Sequence, residues 1–123
     1  PENVTDYADC FAALVPVLQQ AEVDYYADPA ETNDLILQAV DAYATFWVYS
    51  QGVADYSVKT QVDLGLVGNG TDDIVGNVDV DRVQALIDAA TEIYGSDTEK
   101  NIRTDLTPAD LFTDQFIDPS IGF

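Results

Sequence analysis

Asn77, Asp79 and Asp81 stand at the alternating spacing that opens a calcium-binding loop. Such a loop needs glycine at its sixth position and a bidentate glutamate at its twelfth. This chain has Arg82 and Asp88 there, so capping of a helix is the reading for these aspartates. Loose attraction of cations is the most that the local negative charge implies. Gly65-Leu66-Val67-Gly68-Asn69-Gly70 has the look of a phosphate loop, but it lacks the closing Lys-Ser/Thr and no strand signal precedes it. With no histidine, neither a Ser-His-Asp nor a Cys-His arrangement exists. Carboxylate pairs of the glycosidase kind are available by the dozen, and that surplus makes each pair uninformative. A solvated surface is the expected place for them. Acid and base groups would all have to be carboxylates or tyrosines, so no enzymatic activity and no cofactor are expected.

Cys10 is the only cysteine. It cannot close an internal disulfide, and a zinc site needs several Cys or His ligands. A buried thiol acting as a small hydrophobe is expected, with a partner thiol or lipid as the alternative. Asn3-Val4-Thr5 and Asn69-Gly70-Thr71 both match the glycan acceptor pattern, which suits an exported protein. The one ligand-like group is aromatic: Phe46, Trp47, Tyr49 and Tyr56. Trp and Tyr offer flat apolar faces with a polar handle. Phe46 and Trp47 continue a helical stripe, which favours core packing, and the lining of a cleft is the second reading. Tyr25-Tyr26 puts one ring on each side of a helix, with one of the two buried.

The 123 residues carry 23 acids and four bases, a net charge of −19. Nucleic acid and anionic lipid need Lys/Arg clusters, so neither is an expected partner. The acids are spread along the chain and do not form an acidic tail. Adaptation to high salt accounts for them: at 1 M salt the Debye length is about 3 Å and self-repulsion is screened. A halophilic source is expected. The length allows one domain, which should bury about two-thirds of the surface it exposes when unfolded. No run of about 18 apolar residues is present, and neither is a signal peptide. A start at Pro1 suggests a processed or excised piece.

The chain reads as four or five helices with short connections. The first begins near Thr5 or Asp6 and carries Phe11, Leu14, Val15, Leu18, Ala21 and Tyr25 on one stripe. Pro16 lies inside it and predicts a kink or break near 12–15. Asp28-Pro29-Ala30-Glu31 is a capping signal for a second helix running to about Thr45, with Leu35, Ile36, Ala39, Val40 and Tyr43 on its stripe. Gly52 breaks the pattern, and a third helix runs from Val53 to Leu64 with Gly65 as left-handed cap. Residues 65–78 form a loop with a turn at Asn69-Gly70. Asp79 or Asp81 caps a fourth helix, whose core face is Val83, Leu86, Ile87, Ala90, Ile93 and Tyr94. In Leu106-Thr107-Pro108-Ala109-Asp110-Leu111, Thr107 caps, Pro108 opens a turn, and Leu106 and Leu111 staple it. No strand is legible.

Several stretches, in order, resemble the C-terminal end of solute-binding proteins that feed ABC importers, of the branch handling nitrate, sulfonate, taurine and thiamine precursors. They are residues 10–20, 23–30, 47–56, 64–70 and 79–94 and, most closely, Asp110-Leu111-Phe112-Thr113-Asp114-Gln115-Phe116-Ile117-Asp118-Pro119-Ser120-Ile121-Gly122. The usual wording at Thr113–Phe116 is Thr-Asn-Glu-Phe, so Asp114 and Gln115 depart conservatively. The resemblance implies a two-lobed α/β clamshell of about 250–350 residues, of which this chain would be the C-terminal helical part. It implies a small polar or anionic solute, an ABC permease as partner, and export to the cell surface. Trp47 and Tyr49 would then stand at the cleft edge. A face left bare by the missing lobe would promote self-association. The alternative is a free-standing acidic helical module that binds a protein partner, which should be monomeric with a closed core.

Overall fold

A computed structural model describes residues 2–43, 46–70, 72–96 and 103–123. Among them are six helices and no strand: α1 (Glu2–Asp6), α2 (Ala8–Ala27), α3 (Ala30–Tyr43), α4 (Gln51–Asp63), α5 (Val80–Tyr94) and α6 (Pro108–Leu111). Each long helix carries an apolar stripe that a neighbour covers only in part. Consecutive helices pair: α1 with α2, α3 with α4, and α5 with α6.

The N-terminal helix begins upstream of the expected Thr5 or Asp6. It starts at Glu2, pauses at Tyr7, and resumes at Ala8. Hydrogen bonds from Tyr7 N to Asn3 O and from Phe11 N to Tyr7 O carry the chain through the pause, so no side-chain cap is needed there. Pro16 does not break α2, which is continuous to Ala27. Tertiary contacts hold the helix on both sides of the proline. Phe11 lies 5.4 Å from the Phe116 ring upstream of it, and Gln19 is hydrogen-bonded to two other segments downstream. Cys10 is exposed, against expectation, because α2 turns Phe11 and Gln19 to the described partners and leaves Cys10 off that face.

Asp28 accepts a long 3.5 Å bond from Ala30 N at the start of α3, which begins one residue after Pro29. Thr45, the expected limit of this helix, lies outside the described residues. Gly52 does not end a helix. It sits in the first turn of α4, which Ser50 caps through Oγ to Val53 N at 3.4 Å. A glycine costs little in a first turn, where backbone donors have no helical partner to lose. Gly65 takes φ +63° as expected, and Gly65 N and Leu66 N return to Val62 O and Gln61 O. Those two bonds are the Schellman closure. Asp79 caps α5 through Arg82 N at 3.1 Å.

The α6 turn follows its sequence signal. Thr107 N and Oγ1 both donate to Asp110 Oδ2, at 2.9 and 2.6 Å. Leu106 and Leu111 line one recess against Leu86, Ile87 and Ala90 of α5. Bonds from Thr107, with Arg103 nearby, hold the Asp110 carboxyl below the usual range. Its pKa is therefore lower folded than unfolded, and the stabilisation is present above the unfolded value of about 3.9. It is lost as pH falls through the lower folded value. The Thr107 amide resonance should hold its position down to about pH 4 and move only below it. Movement at higher pH would show that Asp110 is not the acceptor.

α2 is the spine of the chain. Tyr25 donates to Asn33 of α3 at 2.9 Å, and Tyr26 donates to Gln61 of α4 at 2.8 Å. The C-terminal segment returns along α2. Gln19 Nε2 donates to Val75 O at 2.8 Å and to Asp118 O at 3.2 Å, while its Oε1 accepts from Asp118 N at 2.8 Å. Val75 N donates to Ile121 O at 3.1 Å, and Phe123 stacks edge-on to Tyr26 at 6.0 Å.

Burial is thin. Ala54, Val58, Val75 and Ile87 are the buried apolar side chains among the described residues. The accessible surface is 9,223 Å², where a compact monomer of this mass has about 6,500 Å². The chain hides about half of its unfolded surface instead of the expected two-thirds. Leu14, Val17 and Leu18 of α2, Leu35 of α3, Tyr56 of α4, and Leu86 and Ile93 of α5 all remain exposed.

Candidate functional site

Residues 46–50 are not helical and do not continue the α3 stripe. Phe46 is fully exposed and Trp47 is 66% exposed, so the core-packing reading of these two rings is overturned. The backbone has turned extended by Ser50 (φ −129°, ψ 161°), which directs the chain away from the α3 axis before α4 starts. Trp47 and Tyr49, two residues apart, thereby reach the same side. With Ile36 and Val40 of α3 they line a recess of about 300 Å³. Tyr56, the fourth member of the aromatic group, is exposed on α4 and does not line it.

Between α2 and α3 lies a polar pair that the sequence reading missed. Asn33 is fully buried; its Oδ1 accepts from Tyr25, and its Nδ2 has no hydrogen-bond partner. A buried donor left unpaired costs about 1–3 kcal/mol. Burial raises the Tyr25 pKa, and the neighbouring Tyr49 and Tyr26 raise it further. The phenol therefore stays protonated at neutral pH and serves as the donor. The signal for Asn33 was present: it precedes Ile36 and Val40 by three and seven residues, a polar side chain on an apolar helical face. Tyr25 and Tyr26 are both half-buried, so neither is the buried ring expected, because each phenol reaches a partner on another helix, Asn33 or Gln61.

No described cation lines the Trp47–Tyr49 recess. Lys59 pairs with Asp63, and Arg103 pairs with Asp105 at 3.1 Å and Asp110 at 3.7 Å. The recess can stack a flat group or take an apolar side chain.

A larger recess, of about 590 Å³, is lined by Asp72, Asp79, Asp81, Asp114, Asn77 and Arg82, among others. The 77–79–81 spacing does not close on a point. Asn77 donates to Asp72, and Asp79 is occupied by the α5 N-terminus. Among the described residues, no three acidic, Cys or His side chains converge as a metal site. Gly65 and Gly68 spend their positive φ on chain reversal after α4. Of the two glycan acceptor patterns, Asn3 is exposed on α1. Asn69 has both ends of its amide bonded to Phe123, and Thr71 lies outside the described residues. No helix among the described residues is long and apolar enough to cross a membrane.

No protein-family description, curated protein or solved structure matches this chain.

Proposed function

We propose that this chain is the C-terminal helical part of a solute-binding protein that delivers a small polar or anionic solute to an ABC permease outside the cell. The observation that carries the reading is the bare apolar surface. A chain of this mass that exposes 9,223 Å², about 2,700 Å² beyond a compact monomer, and leaves Leu14, Val17, Leu18, Leu35, Leu86 and Ile93 exposed, has apolar surface for a partner to cover. Interface areas count both partners, so covering the whole excess would take a contact at or beyond the upper end of the obligate range of about 2,000–5,000 Å². The excess also speaks against a free-standing module, which should close its own core. The ordered run of family-like segments supplies the second support. The stretch most like the family, 110–122, is hydrogen-bonded to the rest of the chain through Gln19 and Val75.

In this reading the parent protein is a two-lobed α/β clamshell, and the segment braces one lobe. Solute binds between the lobes by mass action, and closure follows because the closed state gains contacts that the open state lacks. No bond is made or broken. The Trp47–Tyr49 recess stands at the cleft edge, where its two rings and the Ile36 and Val40 side chains would meet the flat or apolar part of the solute.

The test is titration of the full-length parent, in molar KCl, with nitrate, taurine, an alkylsulfonate and an aminopyrimidine. Saturable binding of one of them by calorimetry is expected. Failure of all four would reject the reading. Trp47→Ala should weaken the bound solute by about tenfold or more, the loss of one stacked ring contact of about 1.4 kcal/mol. An unchanged affinity would remove Trp47 from the cleft edge. The 123-residue chain by itself should self-associate in molar salt on sedimentation, whereas the free-standing module would stay monomeric.

A further inference from the structure

The two-way bond between Asn69 and Phe123 has a chemical weakness next to it. Asn69 Oδ1 accepts from Phe123 N at 2.8 Å, and Asn69 Nδ2 donates to Phe123 O at 3.2 Å. Only a side chain with one donor and one acceptor on the same carbon makes this pair, and an aspartate has acceptors alone. Gly122 lets the tail lie close: a Cβ there would come 2.0 Å from Asp73 O. Val75 N to Ile121 O, at 3.1 Å, is the next bond inward. The residue after Asn69 is Gly70, whose lack of a Cβ leaves its backbone nitrogen unhindered.

We propose that Asn69 is a hydrolytic release point for this C-terminal clasp, protected while the clasp is shut. In the open chain, Gly70 N attacks Asn69 Cγ. The new N–Cγ bond forms, the Cγ–Nδ2 bond breaks, and ammonia leaves with the Gly70 proton. Water then opens the five-membered imide to aspartate or isoaspartate, so one amide and one water become one carboxylate and one ammonium. The product carboxylate faces the Phe123 carbonyl oxygen where a donor stood, and the clasp does not close again. Each opening of the tail is thus at risk of becoming permanent, and residues 121–123 come away from Asp73, Val75 and Tyr26. This holds whether or not the chain serves a solute transporter.

The test follows Asn69 by mass mapping in mildly alkaline molar KCl. The folded chain should deamidate at least about tenfold more slowly than a free peptide of residues 66–76, since reaction requires local opening. Gly122→Ala, checked for retained helicity, should bring the rate close to that of the peptide. Asn69→Asp, which needs no ageing, should lose hydrogen-exchange protection at the Phe123 and Val75 amides and keep it at the Asp118 amide, which Gln19 holds. Equal rates in chain and peptide would overturn the protection. A Phe123 amide still protected in Asn69→Asp would overturn the release.

Discussion

Replacing Gln19 by leucine is expected to destabilise the chain by about 3 kcal/mol. Gln19 is 4% exposed and uses its whole amide on backbone groups of two distant segments. Leucine keeps the volume and the helix propensity, so the loss isolates the hydrogen bonds. Val75 is buried, and its carbonyl would be left without its donor at a cost of about 1–3 kcal/mol. The Asp118 N–H and C=O are only partly shielded, and water recovers some of theirs. Against a total stability of about 5–15 kcal/mol for a domain, this is a large share. Urea unfolding in molar KCl measures it. A loss below about 1 kcal/mol would mean that the C-terminal segment is held by its apolar contacts, Phe11 with Phe116 and Tyr26 with Phe123, without the clamp.

Removing molar KCl should lower the helical circular dichroism signal, with recovery when salt is restored. The chain carries −19, and its paired cations, Lys59 and Arg103, already sit on aspartates. The remaining acids face one another across about 10 Å of screening length at 0.1 M salt, against about 3 Å at 1 M. Little burial opposes that repulsion, since the buried apolar set among the described residues is Ala54, Val58, Val75 and Ile87. The same experiment with sucrose in place of KCl separates screening from general stabilisation, because sucrose does not screen charge. A helical signal unchanged in dilute buffer would remove the halophilic reading of the charge.

Local chemistry made much of the secondary structure legible. Asp79 before an apolar periodic run, Gly65 after one, and Thr107-Pro108 with Asp110 three residues past the threonine each state a helix end in a few neighbouring residues. Each is where the structure puts it. Errors arose where a local signal met a distant contact. Pro16 argues for a break when α2 is read alone, but Phe116 and the Gln19 bonds hold both halves of the helix. Gly52 reads as a terminator until Ser50 is seen to cap the turn that contains it. Phe46 and Trp47 keep helical spacing with Tyr43, yet both rings are exposed and Trp47 lines a recess.

The candidate site divides the same way. That Trp47 and Tyr49 are ligand-like follows from residue type alone, because both offer a flat apolar face with a polar edge. That they share one recess with Ile36 and Val40 depends on where residues 46–50 run relative to α3. So the sequence by itself determined the helical class, most helix ends, and the acidic surface. These rest on interactions within a turn or two of chain, or on composition. Tertiary structure alone decided that Gln19 and Asn69 are clamps, that Cys10 is exposed, and that a large apolar surface is left bare. Each of those depends on which segments meet across 50 to 100 residues, and residue spacing does not encode such meetings.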